Sequence, residues 1–276
     1  MIFMKQYYNK SNVHSHTTFS DGRDNAEDMV RKALALGFHT LGFSEHSPAD
    51  YDDSAMPAEQ APAYRAEVLR LREKYAGQIE LLLGLEHDWL SPWKVDEYDY
   101  AIESVHYVKK DGRLWSVDWT REKLEAAIRD FYGGDPYALC RDYFETVCAS
   151  IEGTGAQILG HIELVMKFNE ARDLFDDADP RYLGPALVCA ELAARSGKLV
   201  EVNTGAMAKG CRTAPYPGTA MLRRVRECGG RIILSSDCHK VENLNFGFAE
   251  AAALARACGF ETAWEYRGNE QVEYKL

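Results

Sequence analysis

Ile79-Glu80-Leu81-Leu82-Leu83-Gly84-Leu85-Glu86 is an almost wholly apolar run that ends on a carboxylate. Such a stretch reads as a strand covered on both faces, as in a parallel α/β sheet, and not as surface material. On its N-terminal side a first strand is expected to end near His16, followed by a helix capped by Asp24 or Asn25 and stopped by Gly37. Ala26, Met29, Val30, Ala33 and Leu34 give that helix its apolar face. A strand over 40–44 and a helix over 62–75 lead to the quoted run. Beyond it come a strand over 100–108, helices over 121–131 and 136–151, and a strand over 157–160. A helix over 185–196, a strand over 199–203, a helix over 219–228 and a strand over 231–235 follow. These are seven strands in repeated βα units around a parallel sheet, and residues 263–276 alternate around Arg267-Gly268-Asn269 as a terminal hairpin.

Composition sets the bounds. A chain of 276 residues with 46% hydrophobic content can bury one large core, so residues 1–276 are expected to form a single domain. The net charge of -11 and the lack of a basic stripe argue against nucleic acid as a partner. The seven cysteines (Cys140, Cys148, Cys189, Cys211, Cys228, Cys238 and Cys258) form no Cys-x-x-Cys pair and read as reduced core residues. The opening Met-Ile-Phe-Met-Lys-Gln-Tyr-Tyr has no apolar region of signal-peptide length, and no later stretch approaches a membrane span. A cytoplasmic protein with no membrane partner is expected.

Six of the eight histidines and three carboxylates fall where these strands give way to loops. His14 and His16, two residues apart on a strand, can offer imidazoles on one side. Asp21 lies in the loop that follows, His46 after the second strand, Glu86 at the end of the third and His106 in the fourth. His161 follows the fifth strand, and Asp237 and His239 follow the seventh. The sixth, ending Glu201-Val-Asn-Thr, shows no evident ligand. A lone histidine at a strand end is commonly just hydrogen-bonded, and a lone Asp or Glu there is commonly a helix cap. Nine such residues together make a set for two or three metal sites, provided one carboxylate bridges. His39 and His87 are left out, because the first precedes a strand and the second points opposite to Glu86.

The motifs His14-x-His16, Ser20-Asp-Gly, Glu45-His46, Gly84-Leu-Glu86, Ser104-Val-His106, Gly160-His161 and Ser236-Asp237-x-His239 resemble the PHP (polymerase and histidinol phosphatase) superfamily across residues 14–240. Gly160-His-Ile-Glu-Leu-Val-Met-Lys-Phe-Asn169, Asn203-Thr-Gly and Gly210-Cys-Arg-Thr-Ala-Pro-Tyr-Pro217 are similar to its histidinol-phosphatases. The resemblance implies a distorted seven-stranded (β/α) barrel of the TIM-like kind, holding three divalent ions. By the family pattern one ion takes His14, His16, Glu86 and Asp237, and a second shares Glu86 and adds His106 and His161. A third takes Asp21, His46 and His239. Zinc, manganese and iron all suit these ligands.

The chemistry implied is hydrolysis of a small phosphate ester, L-histidinol phosphate, as in histidine biosynthesis. A hydroxide between the ions bound by Glu86 is expected to attack phosphorus in line, with Asp237 or His239 supplying the leaving-group proton. Arg212 is the first choice for gripping phosphate, with Lys209 and Lys167 behind it. Asp50, Asp52 and Asp53 could meet a cationic group on the substrate. Three other readings stay open: a PHP phosphoesterase for another small phosphate such as a nucleotide, a non-catalytic PHP module, and a metal-dependent amidohydrolase or deaminase.

Overall fold

A computed structural model describes residues 9–276, so the reading of the first eight residues lies outside it. In chain order the elements are β1 (Ser11–Asn12), α1 (Ala26–Ala35), β2 (Thr40–His46), α2 (Ala61–Lys74), β3 (Glu80–Asp88) and β4 (Tyr100–Ser104). Next come β5 (Tyr107–Lys110), β6 (Arg113–Ser116), α3 (Arg121–Phe131), α4 (Pro136–Gly153), β7 (Ile158–Leu159) and α5 (Pro180–Arg195). The chain ends with β8 (Leu199–Asn203), α6 (Gly205–Ala208), α7 (Thr219–Glu227), β9 (Arg231–Ser235), α8 (Phe248–Ala257), β10 (Thr262–Arg267) and β11 (Glu270–Lys275).

One sheet runs in the order β1-β2-β3-β4-β7-β8-β9-β10-β11, and its pairs are parallel as far as β10. It curls until the chain past β9 comes round to the chain past β1. Just past β1 and β9, Ser15 bridges Cys238 in parallel, with His16 N–H donating to the Cys238 carbonyl at 2.8 Å and Cys238 N–H to the His14 carbonyl at 3.1 Å. This is the distorted TIM-like barrel that was expected. The sheet is larger than the expected seven strands, because the tail hairpin joins it: β10 pairs parallel with β9 through Trp264 and Ile233, and β11 pairs antiparallel with β10.

The lumen is filled by Val13, Leu82, Ile102, Ile158, Leu199 and Ile233 around the Tyr100 ring. The Tyr100 hydroxyl lies 2.5 Å from the Val13 carbonyl and 2.9 Å from that of Phe43. Two glycines make room for it: a Cβ on Gly42 would sit 2.3 Å from that hydroxyl, and one on Gly84 only 2.1 Å from the ring. Outside, each helix turns an apolar face to the sheet, as α4 does with Leu139, Tyr143, Phe144 and Val147. Burying such side chains contributes ~1.5–3 kcal/mol apiece.

Side-chain caps start four of the described helices, α1, α3, α4 and α5. Asn25 accepts from Asp28 N–H at 3.0 Å, and Gly37 follows α1 with a φ of 73°. The expected helix over 185–196 begins earlier, because Asp179 caps it and Pro180 takes its first position, leaving Pro185 inside. The expected strand over 100–108 is divided. The sheet strand stops at Ser104, and residues 107–116 fold back as a separate hairpin turned at Asp111 and Gly112, both at positive φ. That insertion stands between β4 and α3 and becomes a wall of the site. Helix α8 falls in a segment for which the sequence suggested no element. Among the described residues no helix is long and apolar enough to cross a membrane.

Candidate metal centre and substrate pocket

Parallel strands deliver their C-terminal ends to one face of the barrel, and all nine residues singled out from the sequence meet there. Glu86, 1% exposed, is the hub. Its Oε2 lies 3.3 Å from His14 Nε2, 3.4 Å from His16 Nε2 and 2.9 Å from His46 Nδ1. Its Oε1 lies 2.9 Å from His161 Nε2 and 3.4 Å from His106 Nε2. Asp237 Oδ1 stands 3.4 Å from His16 Nε2 and 3.8 Å from His14 Nε2. Asp21 reaches His239 Nε2 at 3.1 Å and His46 Nε2 at 3.5 Å.

Donor atoms fall into four compact groups: His16-Asp21-His46-His239, His14-His16-Asp237, His14-Glu86-His161 and His46-Glu86-His106. The third family-implied set, Asp21, His46 and His239, is thus together with His16 added. His106 and His161 approach Glu86 in different groups, while Glu86 belongs to two. Their side chains suit a cation. His14 Nε2, both nitrogens of His16, Glu86 Oε2 and His161 Nδ1 are buried without hydrogen-bond geometry to any described residue. Each unanswered buried polar atom costs ~1–3 kcal/mol, and divalent ions coordinated by imidazole and carboxylate would answer several at once. Burial disfavours charge on Glu86, yet His14, His46 and His106 hold its carboxyl well below the usual range. Burial likewise opposes charge on Asp237, and Lys209 with His14 holds it low.

The strand thought to add nothing supplies the support. Glu201 on β8 is 1% exposed and accepts from His14 Nδ1–H at 2.5 Å, His161 N–H at 2.8 Å, Ser235 Oγ–H at 2.5 Å and Asn203 Nδ2–H at 2.9 Å. A proton held on Nδ1 leaves His14 Nε2 free as a ligand. Asp88 does the same for His106, accepting from its Nδ1–H at 3.2 Å and from Tyr51 Oη–H at 2.6 Å. Neither was picked out from the sequence. A single Glu at the centre of the apolar Leu199-Val-Glu-Val-Asn203 was the available signal, since a charge there has to be buried and paired.

Asp237 holds a φ of 45°, a left-handed conformation that costs a non-glycine residue ~1–3 kcal/mol. It aims the carboxylate at the histidines, past Gly205, where a Cβ would come within 2.6 Å of Asp237 Oδ2. His239 donates from Nδ1 to the Asp237 carbonyl at 2.9 Å, leaving Nε2 toward Asp21. His39 pairs with Glu265 and His87 with Glu103, so neither joins the cluster, as expected. Cys238 is buried, as expected, and turns its thiol to the Lys240 carbonyl.

A cavity of about 320 Å³ opens over the cluster. Lys167 and Lys209 line it. Lys167 Nζ is anchored on the Asp118 carbonyl at 2.7 Å and on Asp118 Oδ2 at 3.0 Å, and Lys209 Nζ lies 3.4 Å from His239 Nε2. Desolvation opposes charge on Lys209, but Asp237, Asp21 and Asp118 hold it protonated above its usual value. Arg212, the favoured phosphate grip, is not among the lining residues. Its guanidinium donates to the Met166 carbonyl at 2.9 Å and the Ala214 carbonyl at 3.3 Å and lies 3.8 Å from Glu170 Oε2, so its donors tie loops together. Asp52 and Asp53 line the cavity and Asp50 does not.

The sequence profile of the PHP domain matches residues 12–205. The chain belongs to the PHP family. Its PHP domain carries the whole ligand-bearing face as far as β8, and β9 brings Asp237 and His239. Across 85% of this chain and 88% of the relative, it is 30% identical to a Deinococcus radiodurans protein named probable histidinol-phosphatase. It is 25% identical to the histidinol-phosphatase of Bacillus subtilis (strain 168), over 90% of this chain and 99% of that one. The PHP fold here superposes, with a TM-score of 0.72 and 20% identity, on a crystal structure from Lactococcus lactis, covering 96% of this chain and 99% of that one. That structure is of histidinol phosphate phosphatase complexed with zinc, L-histidinol and phosphate.

Proposed function

We propose that this protein hydrolyses L-histidinol phosphate to L-histidinol and phosphate, a step of histidine biosynthesis, as a metal-dependent phosphomonoesterase. The observation that carries the reading is the ring of five imidazoles about Glu86, beside a cavity lined by two lysines. The family and the names of its relatives supply the substrate. The continuous sheet from residue 11 to residue 275 supports reading the chain as one domain, and seven free thiols suit a cytosolic setting.

In this reading His14, His16, Asp21, His46, Glu86, His106, His161, Asp237 and His239 hold three divalent ions, zinc being favoured by the related structure. Such ions would supply positive charge to the phosphoryl oxygens and acidify water bound to them. Glu86, with an oxygen turned to each side, is the shared ligand. Glu201 and Asp88 keep His14 and His106 in the ligating tautomer. Lys167 and Lys209 receive the phosphate, and Asp52 and Asp53 face its cationic alcohol across the cavity. Asp237 and His239, the residues expected to protonate the leaving oxygen, both lie on the cavity wall. Asp237 is held ionised, however, and His239 keeps its ring proton on Nδ1. As ligands they have none to give, and the leaving oxygen takes its proton from water.

The test is phosphate release from a panel of phosphomonoesters by purified, metal-assayed protein. Histidinol phosphate is expected to be turned over far faster than nucleotides. Equal turnover of a nucleotide would replace the specific substrate with a broader one. Full metal occupancy without any hydrolysis would leave a binding module.

A further inference from the structure

One group on the cavity wall is accounted for neither by the ligand set nor by the lysines. Tyr216 is 1% exposed and lines the cavity, and its hydroxyl has no hydrogen-bond partner among the described residues. Buried hydroxyls are normally satisfied, so one left without a partner on a residue that lines a polar cavity points to whatever enters that cavity. Tyr132 and Tyr274 also carry unpartnered hydroxyls, but neither lines it.

The ring is held firmly. Asn203 N–H donates to the Tyr216 carbonyl at 2.8 Å and Tyr216 N–H to the Asn203 carbonyl at 3.0 Å, pinning the residue to the end of β8. The Arg212 guanidinium, fixed on the Met166 and Ala214 carbonyls, lies 5.5 Å from the ring centroid. Burial, with Asp118 and Asp237 nearby, pushes the phenol well above its ordinary value despite Arg212, so the hydroxyl keeps its proton. A phosphate monoester near neutral pH offers acceptor oxygens and almost nothing else. A neutral donor meets that need without adding a charge to a wall that already has Lys167 and Lys209.

We propose that the Tyr216 hydroxyl donates a hydrogen bond to a phosphoryl oxygen of the substrate. The proposal rests on reading the site as a phosphatase, and it gives the role expected of Arg212 to the tyrosine that Arg212 backs.

The experiment compares wild type with Tyr216→Phe, measuring KM for a phosphomonoester, Ki for inorganic phosphate as competitor, and metal content by plasma mass spectrometry. The hydroxyl has no partner among the described residues, so its removal is expected to leave fold and metal content unchanged. Ki and KM are both expected to rise roughly tenfold or more, the usual weight of a hydrogen bond to a charged group. Unchanged Ki in an active, metal-loaded variant overturns the proposal while the phosphatase reading stands. A raised KM with unchanged Ki also overturns it, by placing the hydroxyl on the alcohol. A wild-type protein that neither releases phosphate from any monoester nor binds inorganic phosphate removes the phosphatase reading, and this proposal with it.

Discussion

Glu201 Oε1 and His14 Nδ1 stand 2.5 Å apart, both buried, joining the sixth parallel strand to the segment after the first. One carboxylate there settles the tautomer of His14 and, through its second oxygen, holds the His161 backbone.

Replacing Glu201 with Gln keeps the shape and removes the charge. Metal affinity is expected to fall 10- to 100-fold, as for other outer carboxylates that orient ligating histidines. Metal retained after dialysis against a graded chelator series reports it. Wild-type retention would show that His14 is oriented by other means.

Gly205→Ala places a methyl group within 2.6 Å of the Asp237 carboxylate. Displacement of that side chain is expected to lower kcat/KM roughly tenfold to a hundredfold, with a much smaller change in Tm. Steady-state kinetics beside thermal melts separate the two effects, and equal activity would mean that Asp237 moves without consequence.

Removing metal with a chelator is expected to abolish phosphate release and to lower Tm, because ions that bind only the folded chain stabilise it by mass action. Adding back zinc, manganese or iron one at a time then identifies the productive ion. Activity that survives with no metal detected by elemental analysis would end the metal-dependent reading.

Gly84→Ala tests the barrel interior. The added Cβ would overlap the Tyr100 ring and crowd the Phe43 carbonyl at 2.6 Å, so a loss of roughly 1–3 kcal/mol is expected in urea unfolding. A variant as stable as wild type would show that Tyr100 repacks freely.

A pH-dependent contribution comes from Glu27 on α1, which faces Arg31, Arg70, Lys74 and Tyr75. Lys74 and Arg70 pull its carboxyl from 4.5 down to about 2. A depressed carboxyl stabilises the fold above its unfolded value, and that contribution is lost as pH falls from about 4.5 toward 2. Glu27→Gln is therefore expected to lower Tm at pH 7 and to match wild type near the acid limit. Melts across that range decide it, and a pH-independent difference would assign the effect to packing.

The candidate ligands were legible because their chemistry repeats at a repeating place. His14 and His16 share a strand face, and each later strand end adds a residue of a type that metals select. The supporting shell was not legible, since Glu201 becomes meaningful only beside a histidine 187 residues away. Arg212 was misassigned for a similar reason: a cation on a loop looks free until the Met166 carbonyl, 46 residues earlier, is seen to hold it. The hairpin after His106 was marked by Asp111-Gly112, but the apolar run before it hid the break at Ser104.

The bridge between Ser15 and Cys238 carries a consequence for synthesis. His14 and His16 leave the ribosome long before Asp237 and His239, so early in translation the candidate set lacks its last two members. Until they appear the growing chain exposes pieces of a site with weak claims on any ion. The full donor set exists only once the chain past β9 has been made and has folded against the chain past β1, so any choice among ions falls to that folded barrel.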